Sequence, residues 1–436
     1  MVTTSTANDK LETLAGADPS WLADLRRLAW ERYQVLDFPQ GREEHWRYTD
    51  LSLLDLDSYE IPSDKDEPEI GKLPAKASSA LALKGTGSTG KIVHVDGSRF
   101  SSTLSREAES AGVILTDIET AAVEHKDLLR PRLGQLIGPK DVFSASNLAL
   151  HRGGTFLYVP SGVRLSAPLQ ALHWLTLEGA LVQPRTVVVV EPGAQVIFND
   201  IYSSENLGRP SLVNPVTEVF IGREAEVGWV TWQDWGRGVR QISTVKAHLG
   251  ANAKLNTLLV TLGGDYSRTW KECVMAGEGA ESIMLGLYFS HLDQKFEHWT
   301  MQDHAAPHTR SDLLYKGALA DRSRTVYYGT IRVRNEARKT DAYQANRNLT
   351  LSPQAKADTN PQLEIETNDV RCTHGATVGR VNDEHLFYLM SRGLSRSAAE
   401  RLLIFGFFNE VLERVEWSGM KELLAEAIHN KLEGGK

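Results

Sequence analysis

Val370, Cys372 and His374 fall in steps of two within DVRCTHGATVGR, residues 369 to 380. On an extended chain that spacing puts the three side chains on one face. A thiolate and an imidazole both bind zinc, copper or iron. Two such donors make only half of a four-coordinate site, and no second Cys or His follows at finger-like spacing. A metal held here takes its remaining ligands from a distant segment, another chain or sulfide. The same residues also read as a buried cysteine beside a hydrogen-bonded histidine, and spacing alone leaves both readings open.

Other chemistry-bearing residues are weaker candidates. His291, His298, His304 and His308 cluster in SHLDQKFEHWTMQDHAAPHTRSD, with Asp303 and Asp312 nearby. Three imidazoles and a carboxylate suffice for zinc, but the spacing follows no metal motif and Pro307 breaks any helix shared by His304 and His308. A ladder of hydrogen-bonded histidines is the expectation. Residues 85–91, GTGSTGK, fit part of a phosphate-binding loop. Ile92 stands where Ser or Thr would hold magnesium, and the following IVHVDG reads as a strand rather than a helix. The chain has no G-x-S-x-G elbow and no H-E-x-x-H, and its carboxylates are scattered.

The elements that position Cys372 and His374 are a strand before and a helix after. Leu363 and Ile365 alternate against Glu364 and Glu366. Gly375 and Gly379 allow bends or close backbone approach. Asn382 can cap a helix running through Leu386, Phe387 and Leu389 to Gly393, a left-handed stop. Ser397 and Glu400 form a capping box for a helix bearing Leu402, Leu403, Phe407, Phe408 and Val411. A third helix follows Ser418 with Leu423, Leu424, Ala427 and Ile428, and residue types favour this helical surface as a cap for an open solenoid end. A protein-binding groove is the other reading.

From about 140 to 375, short apolar runs recur between Gly, Asn, Pro and Asp, with no helical period. A corner phrase built on Ala returns at Ala194, Ala225 and Ala253, with an echo at Ala280 and irregular ones at Ala337 and Ala355. Spacings near thirty suit a β-solenoid; an antiparallel sandwich or barrel would also give short strands. Residues 1 to about 60 read as helical, with Asp18 capping, Pro19 opening, and Trp21, Leu22, Leu25, Leu28 and Ala29 on one face. Trp46 and Tyr48 close this segment as anchors, and a polar linker spans 62–78.

The chain has 436 residues, enough for a large core and two or three domains. A net charge of −8 without a basic run argues against nucleic acid. Two cysteines imply a reducing compartment, and the lack of an apolar leader or a long apolar window implies no secretory signal and no membrane span. A cytoplasmic protein is expected.

The run LEIETNDVRCTHGATVGRVNDEHLFYLMSRG resembles the SufD family, a subunit of the SUF iron–sulfur cluster assembly scaffold. WRYTD at 46–50, YVPSGV at 158–163 and HAAPHTRSDLLYKG at 304–317 extend the likeness over most of the chain. The related SufB family carries a cysteine before the LEI strand and an EHEA-type run; here NRNLTLSP (346–353) has no cysteine and THGA stands instead. The resemblance implies a mainly β fold, a right-handed parallel β-helix with helical N- and C-terminal regions. The boundaries expected are 1–80 helical region and linker, 81–139 small mixed α/β unit, 140–378 solenoid, and 379–436 helical domain. It further implies a non-catalytic scaffold paired with a SufB-like chain and a SufC-like ABC ATPase that acts by twisting the scaffold. No cofactor is held stably. A transient Fe–S cluster is shared at the subunit interface by His374, with Cys372 a second ligand or a structural neighbour. ATPase docking falls to Leu386, Phe387, Tyr388, Leu389, Arg392 and Gly393. A homodimer in isolation is plausible from an exposed solenoid edge. A β-helix carbohydrate-active enzyme and a purely structural partner without metal stay open as alternatives.

Overall fold

The computed structural model describes residues 4–62, 72–81, 87–415 and 420–433. Successive strands from the middle of the chain onward alternate between two sheets, so each pairs in parallel with the strand two places away. Glu226–Asp234, Lys254–Thr261, Glu281–Ser290, Arg310–Leu319, Thr340–Thr350 and Val370–Arg380 stack in a 10-stranded sheet. Val239–Leu249, Tyr266–Met275, Lys295–His304, Arg324–Val333 and Lys356–Ile365 stack in an 11-stranded sheet facing it. The register puts Glu281 beside Arg310 and Arg310 beside Asp341, one coil per step. The chain is a parallel β-solenoid with helical regions at both termini.

One corner repeats in every coil. Gly193, Glu224, Asn252, Gly279, His308 and Lys339 all take positive φ. Each lies one or two residues before the next strand, and its N–H bonds the corner of the following coil, as Glu224 does to Ala251 O at 2.9 Å and Asn252 to Glu278 O at 2.9 Å. Ala194, Ala225, Ala253 and Ala280 then stack as one buried column of small side chains at the tight turn. Thr309 and Thr340 continue that column. Ala355 belongs to the opposite corner, which explains its irregular spacing.

Inward residues of the two sheets interdigitate around Phe198, Trp229, Leu255, Met284, Leu313 and Tyr315. The column stays narrow where Gly317 faces Tyr288: a Cβ there would lie 1.9 Å from the ring. On the outer face of the 10-stranded sheet, alternate residues are also apolar (Leu258, Val260, Leu285, Leu287, Leu314). The C-terminal helices Arg396–Glu413 and Met420–Glu433 cover that face with Ile404, Phe408, Val411, Leu424 and Ile428. They therefore flank the solenoid and do not cap its end, as residue typing had favoured. Lys316 and Arg347 fix this packing by pairing with Glu410 at 2.5 and 2.6 Å.

Other local expectations shift. Helix Ser20–Val35 starts without a side-chain cap, and Asp18 instead binds buried Arg26 at 2.5 Å. Leu28 turns outward at 59% exposure while Ala23, Arg26 and Trp30 turn in. Residues 43–50 are turns that cross the outer face of the 11-stranded sheet, where His45 meets Trp270 and Trp299, and Arg268 lies 4.1 Å over Trp46. A helix, Val142–Leu150, falls where the sequence shows no helical period; all nine residues are buried, so it has no polar face to reveal one. Strands Gly90–Val95 and Ile114–Asp117, within the segment 81–139, are taken into the two sheets. Most of the 62–78 linker, Gly85 and Thr86 of the GTGSTGK run, and Ser418 lie outside the described residues.

Candidate functional site at the open end of the solenoid

Lys356–Ile365 and Val370–Arg380 are the last strands of their sheets. Cys372 stands opposite Ala342 and His374 opposite Gln344, on the strand face that lines the interior. One coil further in, the columns are sealed: Ile331 and Val333 are 0% exposed. Their partners in the terminal coil, Leu363 and Ile365, are 37% and 42% exposed, and Val378 is 49% exposed. The interior thus opens to the outside at this end. Val370 and Cys372 still pack against Ile331, Val333, Ala337 and Ala342, whereas His374 is exposed. Partial burial pushes the Cys372 thiol up from its ordinary value, and nearby Asp341 adds to this.

The two rims differ as pairing surfaces. Val381 N–H bonds Thr350 O. Alternation along a strand therefore turns the N–H groups of residues 379, 377 and 375 inward to the sheet and those of Cys372, His374, Ala376 and Val378 outward. On the other rim Lys356 N–H bonds Ser323 O and Glu366 N–H bonds Val333 O, which puts Pro361 at an outward position. Proline has no N–H to offer there, as edge strands often arrange. The rim Val370–Arg380 is the uninterrupted one. Gly375 and Gly379 make no bend and no close approach in this chain, since a Cβ at either would meet nothing within 4 Å.

Among the described residues no three His, Cys, Asp or Glu side chains come together as a metal site. Cys273, the other thiol, is buried in the core and pushed up to about 12 by desolvation. The histidine cluster resolves into separate hydrogen bonds on strands and turns. His304 bonds Thr309 and Ser311 Oγ at 2.8 Å each, His298 bonds Thr261 at 3.1 Å, and His291 bonds Gln294 at 2.8 Å. Burial lowers His298 to about 3 and His304 to about 4, so both are neutral. Asp303 and Asp312 pair with Arg334 and Arg414. Buried carboxylates elsewhere are likewise matched by cations: Glu218 by Arg185 at 2.7 Å, and Glu297 by Arg268 at 2.8 Å and Lys295 at 3.1 Å.

Beyond the rim, Asn382 caps the helix Asp383–Ser391 by accepting from Glu384 and His385 N–H. Gly393 follows with φ +94. The capping serine of the next helix is Ser395, two residues before the Ser397 expected. Within the first helix Leu386 is buried and Leu389 partly so, while Phe387 and Tyr388 are 74% and 56% exposed and Arg392 lies 5.2 Å over the Tyr388 ring. Sequence reasoning missed the link from residues 43–50 to the rim: Glu44 and Gln362 both bond Tyr328, and Asn360 bonds Tyr48 at 3.4 Å. Only the WRYTD run hinted at it.

Residues 173–407 match the family model described as SUF system FeS cluster assembly, SufBD core domain, and residues 7–171 match the SufBD protein N-terminal region. An iron-sulfur cluster assembly SufBD family protein of Staphylococcus epidermidis is 27% identical over 400 residues, 89% of this chain and 85% of the relative. Similar proteins of Staphylococcus saprophyticus and Staphylococcus aureus are 27% and 25% identical over 400 and 397 residues, with the same coverage.

Proposed function

The chain belongs to the SufBD family of SUF-system iron–sulfur cluster assembly proteins, and from that premise we propose that it is the SufD-type scaffold subunit. In this reading it joins a SufB-like solenoid chain through the open end and carries out no turnover of its own. The observation that carries the reading is the uncovered terminal coil. Leu363, Ile365 and Val378 are exposed where the coil beneath is sealed, and an uninterrupted strand rim lies beside them. A solenoid end of this kind needs a cover, and a second solenoid continues both the sheet and the interior.

His374 stands on that rim with Cys372 partly sunk behind it, so a nascent cluster at the junction takes His374 from this chain. Its remaining ligands come from the partner and from sulfide. Cys372 serves as a second ligand or as packing under it. The cluster is cargo, passed on rather than retained. The outward Phe387 and Tyr388, braced by buried Leu386, are the docking surface for a SufC-like ABC ATPase in the cytoplasm. No helix among the described residues is long and apolar enough to cross a membrane. The SufD assignment over SufB rests on THGA and on the absence of cysteine from NRNLTLSP.

The test is His374→Ala in the assembled three-component complex. Cluster yield, read from the visible absorption after reconstitution, is expected to fall at least fivefold while co-purification of both partners persists. Undiminished yield would leave the chain a purely structural partner. Failure of a SufB-like chain to co-purify with the wild type would sink the pairing itself.

A further inference from the structure

Away from the open end, helices Ala75–Leu81 and Met420–Glu433 stand on either side of a cleft on the outer face of the 10-stranded sheet, about 670 Å³ in volume. Clefts of this size take small molecules. Strand Glu226–Asp234 contributes to the floor. Val227 and Trp229 turn from it into the solenoid, while Trp232 and Asp234, two residues apart, turn out into the cleft. The neighbouring indole is already occupied: the Trp235 ring meets Tyr202 at 5.9 Å and its N–H bonds Gln241 at 2.6 Å. Trp232 is half-buried where the two helical layers meet, and among the described residues no ring or cation lies over its face. The Asp234 carboxylate likewise accepts no hydrogen bond among the described residues; Lys76 Nζ stands 3.8 Å away, beyond hydrogen-bond reach.

The charge around the cleft decides the ligand's sign. Arg237 is more than neutralised, by Asp265 at 2.5 Å and Asp293 at 2.9 Å. Lys431 Nζ is held in place by the Leu262 carbonyl, by Gln294 Oε1 at 3.0 Å and by the Phe289 and Phe296 rings. Glu426 adds a further carboxylate to the wall, and His291 is neutral because desolvation lowers it to about 4. Asp234, Asp265, Asp293 and Glu426 therefore outnumber Lys76, Arg237 and Lys431. An uncovered indole face beside a carboxylate, in a cleft of negative balance, is the chemistry that receives a cation. We propose that this cleft binds a small organic cation, an amidinium, guanidinium or ammonium group on an apolar body. The positive group would lie over Trp232 and pair with Asp234, and the body would rest against Leu423 and Ala427 of the C-terminal helix.

Lys431 gives the binding a pH dependence. Desolvation lowers its amine to about 7, with Asp234 opposing and Arg237 adding to the shift. Below that pH the ammonium repels an incoming cation and draws on the Asp234 carboxylate; above it both effects are gone. Affinity for a cation therefore rises as the pH passes about 7 from below.

The probe is benzamidine, titrated calorimetrically into the full chain, with benzamide as its neutral isostere and benzoate as its anionic one. Benzamidine should bind at least about tenfold more tightly than either. Trp232→Leu should weaken it about tenfold and Asp234→Asn at least about fivefold. The second variant alters no apolar contact, so it decides the matter if Trp232→Leu proves poorly folded by circular dichroism. Between pH 6.5 and 8.5 the wild-type affinity should rise about threefold, and Lys431→Met, which keeps the stem and removes the charge, should abolish that rise. Phe387→Ala, on the exposed helix, should leave the titration unchanged. No binding of benzamidine, benzamide or benzoate binding as tightly, or wild-type affinity in Asp234→Asn overturns the proposal.

Discussion

The two thiols of this chain are set apart by the positions of their strands. Cys273 lies mid-solenoid among Val219, Trp229 and Met284, and desolvation pushes it up to about 12. Cys372 lies on the terminal rim, half-buried, with a smaller upward push from the same cause. Only thiolate is nucleophilic, and only an accessible one reacts. Iodoacetamide on the native chain is therefore expected to label Cys372 slowly at pH 8. The rate should rise by up to about tenfold per pH unit until the thiol ionises, while Cys273 stays unlabelled until the chain unfolds. Peptide mass spectrometry reads both sites, and comparable labelling of Cys273 in the native chain would refute the assignment of its burial. The Cys372–His374 face was legible in the sequence from its period of two. The exposure that separates it from Cys273 was not, because it depends on which strand comes last in each sheet.

At the scale of elements, the solenoid was legible because one steric demand recurs: a small residue at each tight corner, hence Ala194, Ala225, Ala253 and Ala280 in step. What the sequence hid is the residue before it. Glu224, Asn252, His308 and Lys339 occupy left-handed positions, which cost most side chains about 1–2 kcal/mol, without glycine at the position itself. Exposed Glu224 offers a clean test, since glycine relieves that strain at an entropic cost of about 0.5–1 kcal/mol. Glu224→Gly is expected to stabilise the chain by about 0.5–1 kcal/mol, seen as a higher urea midpoint at unchanged slope. A lower midpoint would mean that the side chain supports the corner. The buried helix Val142–Leu150 escaped notice for a related reason: with Asn147 and Ser146 bonded inward to Pro184 and Gln183, even its polar residues face protein.

For the whole molecule, the decisive feature is that the C-terminal helices spend their apolar surface on the sheet's flank and leave the end of the stack uncovered. Amphipathic pattern shows that a helix must bury a face; it does not say which surface will receive it. An open end with a continuous rim should associate, with itself when no partner is present. The rims predict how. Ala376 directs its N–H away from the sheet, so Ala376→Pro removes an outward donor without costing an internal ladder bond. On the opposite rim Pro361 already interrupts the row, and Thr359→Pro, at another outward position, adds little. Sedimentation of the isolated wild-type chain is expected to show a concentration-dependent dimer. Ala376→Pro should weaken it at least tenfold with unchanged circular dichroism, and Thr359→Pro should leave it within about twofold, the loss of a few rim hydrogen bonds at about 0.5–1.5 kcal/mol each being enough to separate the two. Dimers of equal strength in both variants would mean that the contact does not run along Val370–Arg380, and the junction placed at His374 would have to be moved with it.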